Sequence, residues 1–277
     1  MGISRVRWLL AAATAMAMTT MGLAAASPAV AQETSEVFVV HGIPGQPVDV
    51  YVDGDLTLEG FQPSEIAGPL ELPAGAYDVA LTAPGDPVED AILAADGVEV
   101  PGGANLSVVA HLTEGGEPTL TPYVNDVSTL AAGEARLTAR HNAAAPAVDV
   151  RANESPVFSS LVNPDEATAE VDAGTVSADV VLAGSEDVVL GPADLDLAEG
   201  TLTIAYAIGS ADEGTLELLV QVIDGLHEVP DEVPAGTGGH AATGVAAWWY
   251  VLLGAAVLLL AGGLGRLALN REGAAQR

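Results

Sequence analysis

Cysteine and lysine are absent from these 277 residues, and aromatic side chains make up only 4% of them. Without cysteine there is no disulfide, thiolate metal site or cysteine nucleophile, so any domain outside the cell must stand on its apolar core alone. Without lysine, every positive side chain is one of eight arginines, set against 38 acidic residues. Arg5 and Arg7 lie near the N-terminus and Arg266, Arg271 and Arg277 near the C-terminus, which leaves Arg136, Arg140 and Arg151 among 37 acids. A field of that sign repels phosphate backbones and predicts no nucleic-acid partner. Scarce aromatics disfavour a sugar-stacking active site. There is also no Gly-x-Ser-x-Gly elbow, no Gly-rich phosphate loop after a strand and no EF-hand spacing.

What is present is an internal echo. Val-Phe-Val-Val-His-Gly-Ile-Pro-Gly-Gln-Pro-Val-Asp-Val-Tyr-Val-Asp-Gly, residues 37–54, returns in degenerate form over residues 135–153. His41 answers to His141, and Val48-Asp49-Val50 to Val148-Asp149-Val150, at one offset of 100. Further echoes, Ala74-Gly75 in Ala173-Gly174 and Leu106–Leu112 in Leu202–Ile208, stand at offsets of 99 and 96, as loop deletions would produce. Two copies of one domain are therefore expected. Short runs rich in Val, Leu, Thr and Tyr, broken by Pro, Gly and Asp every 8 to 12 residues or so, predict β-sandwiches. Strands are expected at 36–41, 47–53, 68–72, 76–83, 88–94, 104–113 and 118–124. Val48, Val50 and Val52 alternate with Asp49, Tyr51 and Asp53, which predicts a valine face turned to the core.

The fold class expected is all-β: two tandem Ig-like β-sandwich domains, with one C-terminal transmembrane α-helix. Residues 1–31 read as a signal peptide, with Arg5 and Arg7 before an apolar run and cleavage after Ala31 in Ala-Val-Ala. The first domain spans 32–126, a linker 127–133 and the second domain 134–224, with the two sandwiches end to end or slightly bent. Residues 225–244 form an acidic Pro/Gly-rich stalk. Residues 245–265 are 21 uncharged, apolar positions, long enough to span a bilayer, with Trp248, Trp249 and Tyr250 as an outer belt. The arginine-bearing tail 266–277 is then cytoplasmic and the ectodomain extracellular. His240-Ala-Ala-Thr-Gly244 stands before that span. It resembles a sortase signal, Leu-Ala-x-Thr-Gly, with His in place of Leu, so cleavage at Thr243 and attachment to the cell wall is the alternative to a single-pass membrane anchor.

The motif around His41, Pro44 and Val48-Asp49-Val50-Tyr51 resembles the bacterial domain of unknown function numbered forty-three ninety-seven, whose hallmark is His-x-x-Pro followed by Val-Asp-Val-Tyr. The resemblance covers residues 36–126 and, in a degenerate second copy, His141 and Asp149; there Pro146 shifts the proline and Arg151 replaces the tyrosine. It implies a β-sandwich on secreted or anchored surface proteins and no activity. His41 with Asp49, and His141 with Asp149, are expected to meet across a loop as polar pins, the alternative being a ligand or metal site. Asp49, Asp53, Asp55 and Asp126 are the candidate calcium ligands. No other cofactor and no catalytic residue is expected. The function expected is a non-catalytic structural or binding module of the envelope, meeting an unknown surface protein or glycan. Its alternatives are a calcium-dependent adhesion module and an envelope hydrolase.

Overall fold

The structure is a computed structural model and describes residues 33–227. Ala31, Thr243, the span 245–265, the tail and all but the first three residues of the expected stalk lie outside the described residues. Among the described residues no helix is long and apolar enough to cross a membrane.

The fold is all-β. The first half contains β1 (Thr34–His41), β2 (Val48–Val52), β3 (Asp55–Phe61), β4 (Ile66–Pro73), β5 (Gly75–Thr82), β6 (Leu93–Val100), β7 (Asn105–Leu112) and β8 (Pro118–Val124). The second contains β9 (Glu134–Ala144), β10 (Val148–Ala152), β11 (Ser155–Leu161), β12 (Glu166–Asp172), β13 (Gly174–Leu182), β14 (Val188–Leu197), β15 (Leu202–Ser210) and β16 (Glu217–Ile223). Each half is a pair of four-stranded sheets. Their orders are β4-β1-β7-β8 with β3-β2-β5-β6, and β12-β9-β15-β16 with β11-β10-β13-β14. The two halves share this order strand for strand. Local devices recur with it: Asp53 and Asn153 both turn at positive φ, and the pairings of β2 with β3 and of β10 with β11 shift register at the same place.

This order differs from the Ig-like expectation. An immunoglobulin sandwich arranges its strands ABED and CFG; here the first strand lies between the fourth and the seventh and runs parallel to the seventh. Short alternating runs specify strands and a sandwich, but which strands become neighbours is decided by long-range pairing. β3 was not expected as a strand, and the segment read as a strand at 88–94 is instead a 3-10 turn, Val88–Asp90, ahead of β6. The prolines fall where a missing donor is tolerated. Pro69 and Pro73, Pro118 and Pro122, Pro156, and Pro192 lie in β4, β8, β11 and β14, all edge strands.

Each sandwich has its own core, with Val37, Val50, Leu81 and Val108 in the first and Leu137, Val148, Val180 and Leu197 in the second. A third cluster lies between them: Val40, Val109, Tyr123, Ile204, Tyr206 and Ile208. The sandwiches therefore stack face to face rather than end to end. The outer face of β4-β1-β7-β8 packs on that of β12-β9-β15-β16, and β7 and β15 are buried along their whole length. A strand buried on both faces loses simple apolar/polar alternation, which is why the stacking is hard to foresee. The segment 127–133 is correspondingly no free joint: Leu130 is buried in the third cluster and its N–H donates to the Leu226 carbonyl at 2.7 Å.

Gly42 sits where the two sandwiches approach closely. A Cβ built there would lie 2.8 Å from Ile208 Cγ2 and 3.1 Å from the Ala110 carbonyl oxygen. Gly42→Ala is expected to wedge the two sandwiches and cost about 1–3 kcal/mol, the usual penalty of overpacking. Chemical denaturation would measure it, and an unchanged midpoint would show that the sheets yield.

Candidate functional site

The repeated histidines and aspartates do not meet. His41 Nε2 contacts the Gln46 carbonyl at 3.1 Å, and His141 Nε2 the Pro146 carbonyl at 3.0 Å, so each ring closes the loop that follows its own strand. Asp49 works elsewhere: its Oδ1 accepts the Gly60 N–H at 2.6 Å and its Oδ2 the Gly85 N–H at 2.7 Å. Asp149 repeats this with Ser160 at 2.7 Å and Gly184 at 3.0 Å. The His–Asp pairing expected from the sequence is thus replaced by two separate pins per sandwich. The reason is that the histidine lies on β1 or β9, in one sheet, while the aspartate lies on β2 or β10, in the other. Pro44 belongs to the loop that His41 closes.

Asp49 is also buried at 2% exposure, although the alternation had turned it outward, and Val52 is only half-buried. The loops that Asp49 holds cover it. Asp49→Ala leaves two N–H groups without their carboxylate and should cost about 2–4 kcal/mol, given that bonds to charged groups contribute about 1.5–3 kcal/mol each. The less buried Asp149 should cost less, and thermal unfolding of the two variants compares them directly.

All three central histidines are buried, and burial lowers the pKa of each. The backbone contacts at Gln46, Leu112 and Pro146 oppose the shift for His41, His111 and His141 respectively. His111 is held by the Leu112 carbonyl at Nδ1, 2.9 Å, and by Thr121 Oγ1 at Nε2, 2.8 Å.

The aspartates proposed for calcium do not converge. Asp53 Oδ1 accepts the Asp78 N–H at 2.9 Å in the β2–β3 turn, as Asn153 Oδ1 accepts the Ser177 N–H at 3.1 Å in the other half. Asp126 is engaged by Ser128 and Arg136, and the Ser128 bonds, more than the arginine, hold its carboxyl below the usual range. Asp55 lies exposed at the start of β3. Among the described residues no group of three or more His, Asp or Glu is placed to hold a metal ion. A groove of about 470 Å³ opens between β3 and β4, lined by Val52, Asp53, Asp55, Pro69, Leu70 and Glu71, so two of these aspartates do share one wall.

The most elaborate polar arrangement was not foreseen: it lies in the seam between the sandwiches. Arg140, on β9, stacks over Tyr123 at 4.3 Å and Tyr206 at 5.4 Å from the ring centroids. Its Nε donates to Glu166 at 2.8 Å, one terminal nitrogen to Tyr206 Oη at 2.9 Å, and the other to Asn125 Oδ1 at 2.8 Å. Ser107 and Tyr206 both donate to Gln221 Oε1, at 3.1 and 2.7 Å. Asn142 donates to Tyr123 Oη, which in turn donates to the Pro164 carbonyl. Burial pushes the Tyr123 hydroxyl up to about 12. Arg136 donates to the Asp126 and Ser128 carbonyls, at 2.7 and 3.0 Å, and to Glu170 at 2.8 Å, tying the linker to the second sandwich.

Arg151, the third central arginine, forks onto Asp179 at 2.7 and 2.8 Å. Tyr51 stands at its place in the first half with Ala80 opposite, so the change from Tyr to Arg comes with a change from Ala to Asp. The Arg151 bonds hold the Asp179 carboxyl below its usual range. One signal could have located the seam: in a lysine-free, acidic chain, Arg136 and Arg140 alternate with apolar residues in the echo of the first strand, which became β9, where a solvated surface has no need of them.

Chemically, these arrangements position backbone and join domains. Residues 35–151 match the family described as "Domain of unknown function (DUF4397)", a match that runs through the first sandwich and on to β10. No curated protein matches the chain. Among solved structures it is similar to a "putative cell adhesion protein" from Bacteroides uniformis, at 9% identity, covering 72% of this chain and 99% of that one with a TM-score of 0.18. A likeness that slight carries no argument about fold or role.

Proposed function

We propose that this chain, whose residues 35–151 match a family of unknown function, is a non-catalytic binding or structural module displayed at the surface of a bacterial cell. One observation carries the non-catalytic part: the titratable groups singled out by the repeat are consumed in holding backbone. His41 and His141 are buried against carbonyls, and Asp49 and Asp149 accept loop N–H groups. A general base needs a proton to reach within about 3 Å of it in a substrate pose, which buried loop pins do not offer. Display rests on the N-terminal leader ending at Ala31 and on the apolar run 245–265 followed by arginines. The acidic surface suits an exposed, well-solvated ectodomain.

Fractionation with protease shaving of intact cells tests this reading. A membrane-held protein whose ectodomain is digested from outside supports it. Recovery from the membrane-free wall fraction instead would show cutting at Thr243, and a purely cytoplasmic, protease-protected protein would refute display altogether.

A further inference from the structure

Each sheet ends in two edge strands, and an unprotected edge is a template for another chain, so proteins guard edges with proline, charge or bulges. Four of the eight edges carry proline: β4, β8, β11 and β14. β3 carries Asp55 and Glu59, β6 carries Asp96 and Glu99, and β12 carries Glu166, Glu170 and Asp172. β16 is the least guarded, its one charge being Glu217 at its first residue. The rest of the strand, Leu218-Leu219-Val220-Gln221-Val222-Ile223, has no charge, no proline and no glycine. Such six-residue, uncharged, β-branched segments are the ones that pair most readily.

The register says which groups are free. Arg136 N–H donates to the Thr201 carbonyl, so alternate residues of β15 from Thr201 turn their backbone toward β9. Those from Leu202 then turn toward β16 and pair with Ile223, Gln221, Leu219 and Glu217. The N–H and C=O groups of Leu218, Val220 and Val222 consequently face away from the sheet. Among the described residues no strand lies beyond them. Val220 and Val222 are 37% and 50% exposed, while Leu219 and Ile223 anchor the strand in the seam.

We infer that β16 is a docking edge for an extended segment of another protein, added as a fifth strand to β12-β9-β15-β16. Charge names the occupant's chemistry. Glu217 begins the strand and Asp224 follows it, so the segment that fits is uncharged and β-branched in its middle and basic at both ends. A second copy is the poorer fit, because antiparallel self-pairing about Val220 sets Glu217 of one copy beside Ile223 and Asp224 of the other, like charges at both ends. This contact deepens the proposed binding role and rests on that reading, but its test needs only purified protein and is blind to where the protein resides.

The probe is a labelled peptide, Arg-Thr-Val-Thr-Val-Thr-Val-Arg, titrated by fluorescence anisotropy into the full chain in detergent micelles. Its counterpart has Glu at both ends. The arginine peptide should bind about tenfold or more tighter at low salt, with the gap narrowing at high salt. Val220→Pro removes an outward donor without touching a β15 bond and should abolish binding. Val220→Arg keeps every backbone bond and should weaken binding about tenfold by charge repulsion, which covers the case in which the proline variant fails to fold. Equal binding of the two peptides, or undiminished binding by Val220→Arg, overturns the proposal. So does a dimer of the free protein, seen in sedimentation and dissolved by Val220→Arg, which would make the occupant a second copy.

Discussion

Replacing Arg140 by alanine will cost the two-sandwich unit about 3–5 kcal/mol, the range for removing one member of a buried charged network. Asn125, Tyr123 and Tyr206 are oriented around the guanidinium, and its loss takes one hydrogen-bond partner each from Asn125 Oδ1 and the Tyr206 hydroxyl in a buried seam while removing the cation from two aromatic faces. Glu166 is half exposed and recovers solvation, so it contributes the smaller part. Arg140→Met separates packing from polarity: it restores the stem against the rings and returns part of the loss. Arg151→Ala is the contrast outside the seam: its fork onto Asp179, with both side chains 11% exposed, touches no aromatic face and no residue of the other sandwich, and Glu186 is open to solvent, so the smaller loss is expected there. Urea unfolding followed by far-ultraviolet circular dichroism measures the loss in the two-sandwich unit. An Arg140→Ala loss no larger than that of Arg151→Ala would mean that the apolar cluster alone holds the sandwiches together.

Acidification from pH 7 to pH 5 will destabilise the protein through its buried histidines, at a higher pH than the one at which Asp126 and Asp179 protonate. His41, His111 and His141 are neutral in the fold because burial lowers their pKa, whereas in the unfolded chain they titrate near 6.5. Between the folded and unfolded values the unfolded state binds more protons, so stability rises with pH there: it is complete above about 6.5 and falls below it. Each histidine adds a slope of at most about 1.4 kcal/mol per pH unit, and three in one cooperative unit add to about 4. The Asp126 and Asp179 carboxyls, held below their usual range, lose their contribution only below about pH 4, so the two windows are separate. A thermal midpoint that stays flat from pH 7 to 5 would contradict the neutral state of these rings. His111→Gln, which retains hydrogen-bonding groups for Leu112 and Thr121 but cannot titrate, should flatten the profile by about a third.

Much of this protein is legible one residue at a time. The echo of His41 in His141 and of Asp49 in Asp149, the alternation about Val48 and Val50, and the regular Pro/Gly punctuation determined an all-β chain built twice, because strand period and turn chemistry are local properties. Composition likewise determined that no disulfide or thiolate site exists. The tertiary structure decided three other things. It placed each histidine and its aspartate in different sheets, so that they pin separate loops. It put the first strand beside the seventh, against the Ig-like order. It also stacked the sandwiches face to face, which turned Arg136 and Arg140 from surface charges into the centre of a buried seam. All three depend on which distant segments pack together, and that is settled by shared apolar area and hydrogen-bond satisfaction across the whole chain rather than by any window of it.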